Sequence, residues 1–464
     1  MTITRRNFNK GMLAIALSGL ATHLTSAEKK VLNTKVAKLF TAEYLIPDPK
    51  GMLDLPEGFS YQIISQLGNS MSDGFTVPDS ADGMGCFKLD DDRVILVRNH
   101  ELKHDKGIKV ESAKIDVTNL QAYDHYSDAS PLPGGTSNIV YNLKTQKVEK
   151  EYMSLLGTIR NCAGGKTPWN AWLTCEESVA TPSDLINKEH GYVFEVPSQA
   201  NGLVEPKPIV DMGRFNHEAA CIDPKTGIVY LTEDRWDSLL YRFIPNEKTN
   251  LHAGGTLQAL AIKGKAKFDT RNWEQVQMQP DTDYTCEWIT LDNVKSPEDD
   301  LRLRGHEQGA ALFARGEGIY FSDDPDKSEL YFCCTSGGNK KLGQIMRYLP
   351  STDEGTDKEQ DNPGVLQLFV ESDSPSSLNF GDNLVITPSG HLIVCEDQYL
   401  DEVHNNLKLV TPSGQLFDFA RVRWQTEPAG ACFSPDGSVM FVNLYSPTRT
   451  VAITGPWHIF DELS

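Results

Sequence analysis

Leu392-Ile-Val-Cys-Glu-Asp397 follows the turn signal Thr387-Pro-Ser-Gly390 and precedes two further apolar runs, Leu407-Lys-Leu-Val410 and Leu416-Phe-Asp-Phe-Ala420. A short apolar stretch that ends in polar residues reads as a buried strand. A Pro/Ser/Gly turn between two such stretches reads as a hairpin. The same unit recurs along the chain. Its hairpin strand reappears as Val94-Ile-Leu-Val-Arg-Asn-His-Glu101, Trp172-Leu-Thr-Cys-Glu-Glu177, Val229-Tyr-Leu-Thr-Glu-Asp234, Leu330-Tyr-Phe-Cys-Cys-Thr335 and Val439-Met-Phe-Val-Asn443. Turn signals such as Asp223-Pro-Lys-Thr-Gly227 and Ser434-Pro-Asp-Gly437 precede them. A third run follows each, for example Asn138-Ile-Val-Tyr141 and Gln344-Ile-Met-Arg-Tyr348, and often a fourth, such as Leu257-Gln-Ala-Leu-Ala-Ile262. Tyr61-Gln-Ile-Ile64 adds one strand before the first set. Six sets of about four strands, with an N-terminal strand left to close the last, predict an all-β fold: a six-bladed β-propeller. A pair of β-sandwiches is the competing arrangement, and it gives no reason for six repeats in one order. An insertion from roughly Lys263 to Arg304, with Trp273 and Trp288, is expected to interrupt the fourth blade.

Outside the repeats, the start of the chain reads as an address. Arg5-Arg6-Asn7-Phe8-Asn9-Lys10 leads into an apolar run from Gly11 to Leu20, with small residues at Thr25-Ser26-Ala27 before Glu28. This is the pattern of a twin-arginine export signal, too short for a membrane anchor. The expected organisation is residues 1–27 as signal peptide, 28–55 as an N-terminal arm and 56–464 as one propeller domain. The expected partners are the twin-arginine machinery and a small substrate. The protein is expected to be a monomer in the periplasm or secreted, with no stable membrane anchor. Lys+Arg 44 against Asp+Glu 64 gives a net charge of −20 over 464 residues. That excludes nucleic acid as a natural partner, unless the acids gather around cations that reverse the local field. The nine cysteines are an odd number at modest density, so disulfides are not what holds the fold.

The acids recur with the repeat. The first strand of each set begins beside Asp82, Asn161, Glu218, Glu317, Asp382 or Glu427. The second strand ends in Asn99/His100/Glu101, Cys175/Glu176/Glu177, Glu233/Asp234, Thr335/Ser336, Cys395/Glu396/Asp397 or Asn443. Both positions lie at one end of an antiparallel hairpin, so they converge on one mouth if the first strands line the channel. Carboxylates so crowded must take up protons or cations. Their oxygens suit hard ions such as Ca²⁺, Mg²⁺ or Fe³⁺. A thiolate suits none of the alkaline earths, so Cys175 hints at a transition metal as well. Cys395 holds the same place in its own set with a weaker claim. Cys86, Cys221 and Cys432 sit within apolar strands and read as small buried hydrophobes.

At this point the residues carry a family resemblance. Arg160-Asn-Cys-Ala-Gly-Gly-Lys-Thr-Pro-Trp-Asn-Ala-Trp-Leu-Thr-Cys-Glu-Glu177, Gly213-Arg-Phe-Asn-His-Glu-Ala-Ala220, Arg315-Gly-Glu-Gly-Ile319, Val394-Cys-Glu-Asp397, Glu427-Pro-Ala-Gly-Ala-Cys-Phe-Ser-Pro-Asp-Gly437 and Thr454-Gly-Pro-Trp457 resemble the PhoX-type alkaline phosphatases. The resemblance runs from about Asp82 to Trp457. It implies a six-bladed propeller holding iron and calcium ions around a bridging oxide, and hydrolysis of phosphomonoesters outside the cytoplasm. It implies Cys175 as an iron ligand and Glu218 and Glu317 as metal ligands. Glu176, Asp382, Glu396 and Glu427 would be further carboxylates of the cluster, and Arg315 would meet the substrate phosphate.

Phosphoryl transfer needs charge neutralisation and positioning more than covalent chemistry. A metal cluster supplies both and generates an oxide or hydroxide nucleophile, and the planar fork of an arginine can hold two phosphate oxygens. His217 reads as a ligand, an orienting residue or a core histidine, and His100 and Glu101 stand at a strand end that could touch the cluster. Gly-x-Ser-x-Gly does not occur, and neither a phosphate-binding glycine loop nor zinc-type Cys/His spacing is found. The expectation is an exported, metal-dependent phosphomonoesterase. The alternatives are a non-catalytic, calcium-stabilised binding propeller and a calcium-dependent lactonase or phosphodiesterase.

Overall fold

The computed structural model describes residues 26–112, 114–400 and 404–463, so most of the export signal lies outside the described residues. Helix α1 (Ser26–Leu39) leads into β1 (Leu53–Asp54) and β2 (Ser60–Gln66). The first repeat is β3 (Ala81–Lys88), β4 (Arg93–His100), β5 (Gly134–Asn142) and β6 (Lys147–Thr158). The second has three strands, β7 (Asn161–Lys166), β8 (Ala171–Glu176) and β9 (Val193–Pro197). The third is β10 (His217–Ile222), β11 (Val229–Glu233), β12 (Tyr241–Pro245) and β13 (Gly255–Ile262). The insertion contributes β14 (Tyr284–Thr290) and helix α2 (Leu301–Glu307). The fourth repeat is β15 (Gly316–Phe321), β16 (Leu330–Cys334), β17 (Gln344–Leu349) and β18 (Val365–Glu371). The fifth is β19 (Gly381–Ile386), β20 (Leu392–Glu396), β21 (Asn406–Val410) and β22 (Leu416–Val422). β23 (Pro428–Phe433), β24 (Val439–Leu444) and β25 (Arg449–Thr454) form the last.

The fold is all-β and propeller-like. Each repeat is an antiparallel meander, and the first strands are neighbours in a closed ring: β3 meets β7, β7 meets β10, and so on through β15, β19 and β23 back to β3. β2 pairs with β25, from Ser60↔Thr454 to Gln66↔Arg449, so the start of the chain completes the final sheet. β1 adds to β22 at the outer edge of the fifth repeat. Phe40, from the same N-terminal segment, meets Phe460 edge-on at 5.6 Å.

Burial explains why the strands read so differently. β4 is buried through its last seven residues, whereas β18, an outer strand, alternates buried with half-buried positions. An inner strand is covered on both faces by the adjacent sheets and so tolerates a continuous apolar run, while an outer strand keeps one face near water. The insertion does not interrupt the fourth repeat. It lies between the third and fourth, where β14 pairs with β13 over Gln258↔Thr290 to Ile262↔Cys286 and touches β18 at Tyr284↔Leu366. Two four-stranded meanders thereby become one nine-stranded sheet. No helix among the described residues is long and apolar enough to cross a membrane.

Candidate metal centre

Every repeat closes its mouth-side hairpin end with the same hydrogen bond. The amide of the residue after the second strand donates to the carbonyl of the residue before the first strand: Glu101 to Ser80, Glu177 to Arg160, Asp234 to Asn216, Thr335 to Arg315, Asp397 to Phe380 and Tyr445 to Glu427. Ser80, Arg160, Arg315 and Phe380 adopt φ of 53°, 49°, 55° and 56° there. Such left-handed conformations in non-glycine residues cost of the order of 1 kcal/mol each, and they gather at functional sites. A β-bulge follows immediately in all six first strands and turns the next side chain toward the axis. The residue at the second position of β3, β7, β10, β15 and β19 is Asp82, Cys162, Glu218, Glu317 and Asp382. In β23 it is Ala429, and Glu427 reaches in from the position that Arg160 and Arg315 hold elsewhere. The close approach of the first strands puts a small residue just beyond four of the five donors at that second position, Asn383 being the exception. A Cβ on Gly83 would lie 2.5 Å from the Ala163 Cα, and one on Gly318 would lie 2.7 Å from the Asn383 Cα.

The donors form a continuous chain of overlapping triads: Asp82, Glu101 and Cys162; Cys162, Glu177 and Glu218; Glu218, Glu317 and Asp382; Asp382, Asp397 and Glu427. Within each triad the ligand atoms lie within 4.8 Å of one another. The thiol of Cys162 is 3.0 Å from Glu218 Oε1 and 3.5 Å from Asp82 Oδ2. Burial raises the pKa of Asp82, Glu177, Glu218, Glu317 and Glu427 well above the carboxylate range, and neighbouring acids raise it further. Burial and Asp397 push Asp382 up to about 7. Asp82 Oδ1 is buried without a hydrogen-bond partner. Hard oxygen donors packed this closely around one thiol, with an orphaned carboxylate oxygen among them, fit a cluster of cations that includes a thiolate-tolerant metal.

Two arginines hold the ring. Arg160 donates from Nε to Glu101 Oε1 at 2.6 Å and from Nη1 to the Glu177 carbonyl at 3.0 Å, and its Nη2 pairs with the Glu177 carboxylate. Arg315 grips Asp234 with Nε at 2.7 Å and Nη2 at 2.9 Å, and Nη2 also reaches Glu317 Oε1 at 2.9 Å. Tyr445 donates to Glu101 Oε2 at 2.6 Å, and burial together with Glu101 raises its phenol far above the usual range.

Of the residues singled out from sequence, Glu218, Glu317, Asp382, Glu427 and Arg315 come together at this mouth, with Asp82 and Glu101. Cys175, Glu176 and Glu396 do not. Cys175 is fully buried in an apolar cluster with Leu173, Val193 and Phe215, and burial raises its thiol pKa. The Glu176 carboxylate accepts from His190 Nδ1 at 2.6 Å and from the amides of Ile159, Gly191 and Tyr192. Glu396 accepts from the Asn379 amide at 2.9 Å and Asn406 Nδ2 at 2.6 Å, behind the mouth. For Glu176 and Glu396 strand alternation is the reason, since adjacent residues face opposite ways, whereas Cys175 lies further along its strand, inside the apolar cluster. The chain turns Glu177 and Asp397, one position later, to the cluster. His217 stacks on Phe215 with ring centroids 3.6 Å apart, its pKa pushed down to about 3 by burial, its Nε2 is hydrogen-bonded to the Gly213 carbonyl at 3.0 Å, and it belongs to none of the triads above. His100 is bonded to Ser137 and the Asp79 carbonyl. Cys162 and Arg160 escaped the sequence reading. The signal was the register: each stands where the repeat puts an acid or an arginine in a sister hairpin.

The family model described as "Alkaline phosphatase PhoX" matches residues 40–130 and 125–448. Among solved structures, one of Pseudomonas fluorescens PhoX in complex with vanadate, a transition state analogue, is similar at a TM-score of 0.64 and 20% identity, covering 89% of this chain and 97% of that one. XC5397 of Xanthomonas campestris, a gluconolactonase, matches at a TM-score of 0.36 and 12% identity, covering 82% and 99%. No curated protein sequence matches.

Proposed function

The chain belongs to the alkaline phosphatase PhoX family and is a phosphatase, and on that premise we propose that it is an exported phosphomonoesterase built on a six-bladed propeller with an iron and calcium centre at its mouth. The sixfold hairpin-closing hydrogen bond and the closed ring of first strands support six blades. The twin-arginine pattern at Arg5-Arg6 supports export. The observation that carries the catalytic reading is the unbroken run of acids around Cys162, with Arg315 anchored at its edge.

Asp82, Glu101, Glu177, Glu218, Glu317, Asp382, Asp397 and Glu427 would hold the cations, with Cys162 ligating iron. Bound there, the ions supply Lewis-acid charge that offsets the negative charge of a phosphoryl group. The chain's own residues do the rest. Arg315, preset by Asp234 and Glu317 through Nε and Nη2, keeps Nη1 to bind and orient a phosphoryl oxygen. Arg160 fixes Glu101 and Glu177, so that neither carboxylate swings toward the substrate. The Tyr445 phenol, its pKa raised by burial and by Glu101, donates to Glu101 and holds that carboxylate in one orientation.

The test is turnover of p-nitrophenyl phosphate by protein replete with iron and calcium, before and after chelation. Monoester hydrolysis that is lost with the chelator and restored by the metals is expected. A metal-replete protein that leaves the monoester intact refutes the reading.

A further inference from the structure

Single exposed hydrophobic side chains are ordinary, so exposure alone assigns nothing. Trp236 is different in how it is held. It is the one exposed tryptophan of the seven, at 57%. It lies two residues beyond Asp234, on the loop from β11 to β12, and its ring centroid is 5.7 Å from the guanidinium carbon of Arg315. The insertion grips that loop from both sides. Arg271 Nη1 donates to the Trp236 carbonyl at 3.0 Å, Arg235 pairs with Asp299 at 3.2 Å, and Asp237 pairs with Arg302 at 2.9 Å. Trp273 of the insertion stands 5.9 Å from the Trp236 ring, its indole fixed by a 2.8 Å bond to the Ser336 carbonyl. Arg271 at 4.3 Å and Lys341 at 4.9 Å lie over the Trp273 ring. An insertion that spends ion pairs and a tryptophan to keep another indole in water, beside the arginine at the mouth, has made a rigid aromatic shelf.

We propose that Trp236 is a specificity-determining residue that stacks the base of a nucleoside 5′-monophosphate whose phosphate is held at Arg315; this rests on the phosphatase reading above. A flat π face recognises any nucleobase without reading its edges, and such stacking is worth about tenfold or more in affinity. The rigid loop means that little ordering cost opposes it.

The experiment compares kcat/KM for 5′-AMP and for ribose 5-phosphate, the same ester without its base. The ratio is used because Trp236 also leans on Arg315, so truncating it disturbs both substrates alike. In the wild type the ratio is expected to be about ten or more. In Trp236→Ala it is expected to fall toward one, and Trp236→Phe is expected to keep most of it. A wild-type ratio near one, or a ratio that Trp236→Ala leaves unchanged while ribose 5-phosphate is still hydrolysed, overturns the shelf alone. Hydrolysis of neither ester by metal-replete protein overturns the phosphatase reading and the shelf with it.

Discussion

Glu176→Gln separates a residue that holds the fold from one that holds metal. The wild-type carboxylate is fully buried and takes a 2.6 Å hydrogen bond from His190 Nδ1, while His190 Nε2 stands 3.5 Å from Asp124 Oδ2. Burial opposes a charge on His190, but the two carboxylates outweigh it and lift its pKa from 6.5 to about 9. At ~1.4 kcal/mol per pH unit this is about 3 kcal/mol of stability. A raised pKa means that the contribution is fully present below pH 6.5 and is lost as pH rises through about 9. The amide removes one of the two charges, and burial then returns His190 toward the neutral form. Its NH₂ end also faces amides that the carboxylate had satisfied. Leaving one or two buried N–H groups without an acceptor costs roughly 1–3 kcal/mol each at any pH. The variant should therefore be about 5 kcal/mol less stable than wild type at pH 6 and about 2 kcal/mol less stable at pH 9.5, with metal content unchanged. Denaturant midpoints across that range, with metal analysis of each sample, measure it. A stability gap that stays flat or widens with pH refutes the His190 reasoning. Loss of iron or calcium at unchanged stability would put Glu176 in the metal centre after all.

The two cysteines give a matched pair. Cys162→Ser should lose iron and any visible absorption with little change in stability of the metal-free protein, whereas Cys175→Ser should keep its metals and lose roughly 1–3 kcal/mol by burying a hydroxyl among Leu173, Val193 and Phe215; the opposite pattern returns the thiolate to Cys175. Arg315→Lys keeps the charge but not the two-pronged contact with Asp234, and kcat/KM for a simple monoester should fall about 10–100-fold, a loss of about 1.5–3 kcal/mol. An unchanged kcat/KM would remove Arg315 from the phosphate site.

How much of this could be read from the chain follows from which physical signals are local. The strands were legible because an inner strand covered on both sides writes an unbroken apolar run, and because Pro/Gly turns mark each hairpin. The mouth was legible because hairpin geometry alone brings the start of one strand and the end of the next together. Parity was not. Whether Glu176 or Glu177 faces the axis depends on a bulge at the opposite strand, between Asn161 and Gly164, and on the Glu177 amide bonding back to Arg160. Neither leaves a mark in a run such as Thr-Cys-Glu-Glu, where both neighbours are acidic. Cys162 was hidden for a related reason. Its sister positions carry Asp82, Glu218, Glu317 and Asp382, so a thiol there looks like a break in the pattern until the register shows it to be the same position. Small residues just beyond the donors, Gly83, Ala163, Ala219 and Gly318, would have marked it. First strands converging at a channel favour a small side chain at that point in four of the five, Asp382 being followed by Asn383, so a donor followed by a small residue is a trace that close packing leaves in the sequence, and Cys162-Ala163 has it while Cys175-Glu176 does not.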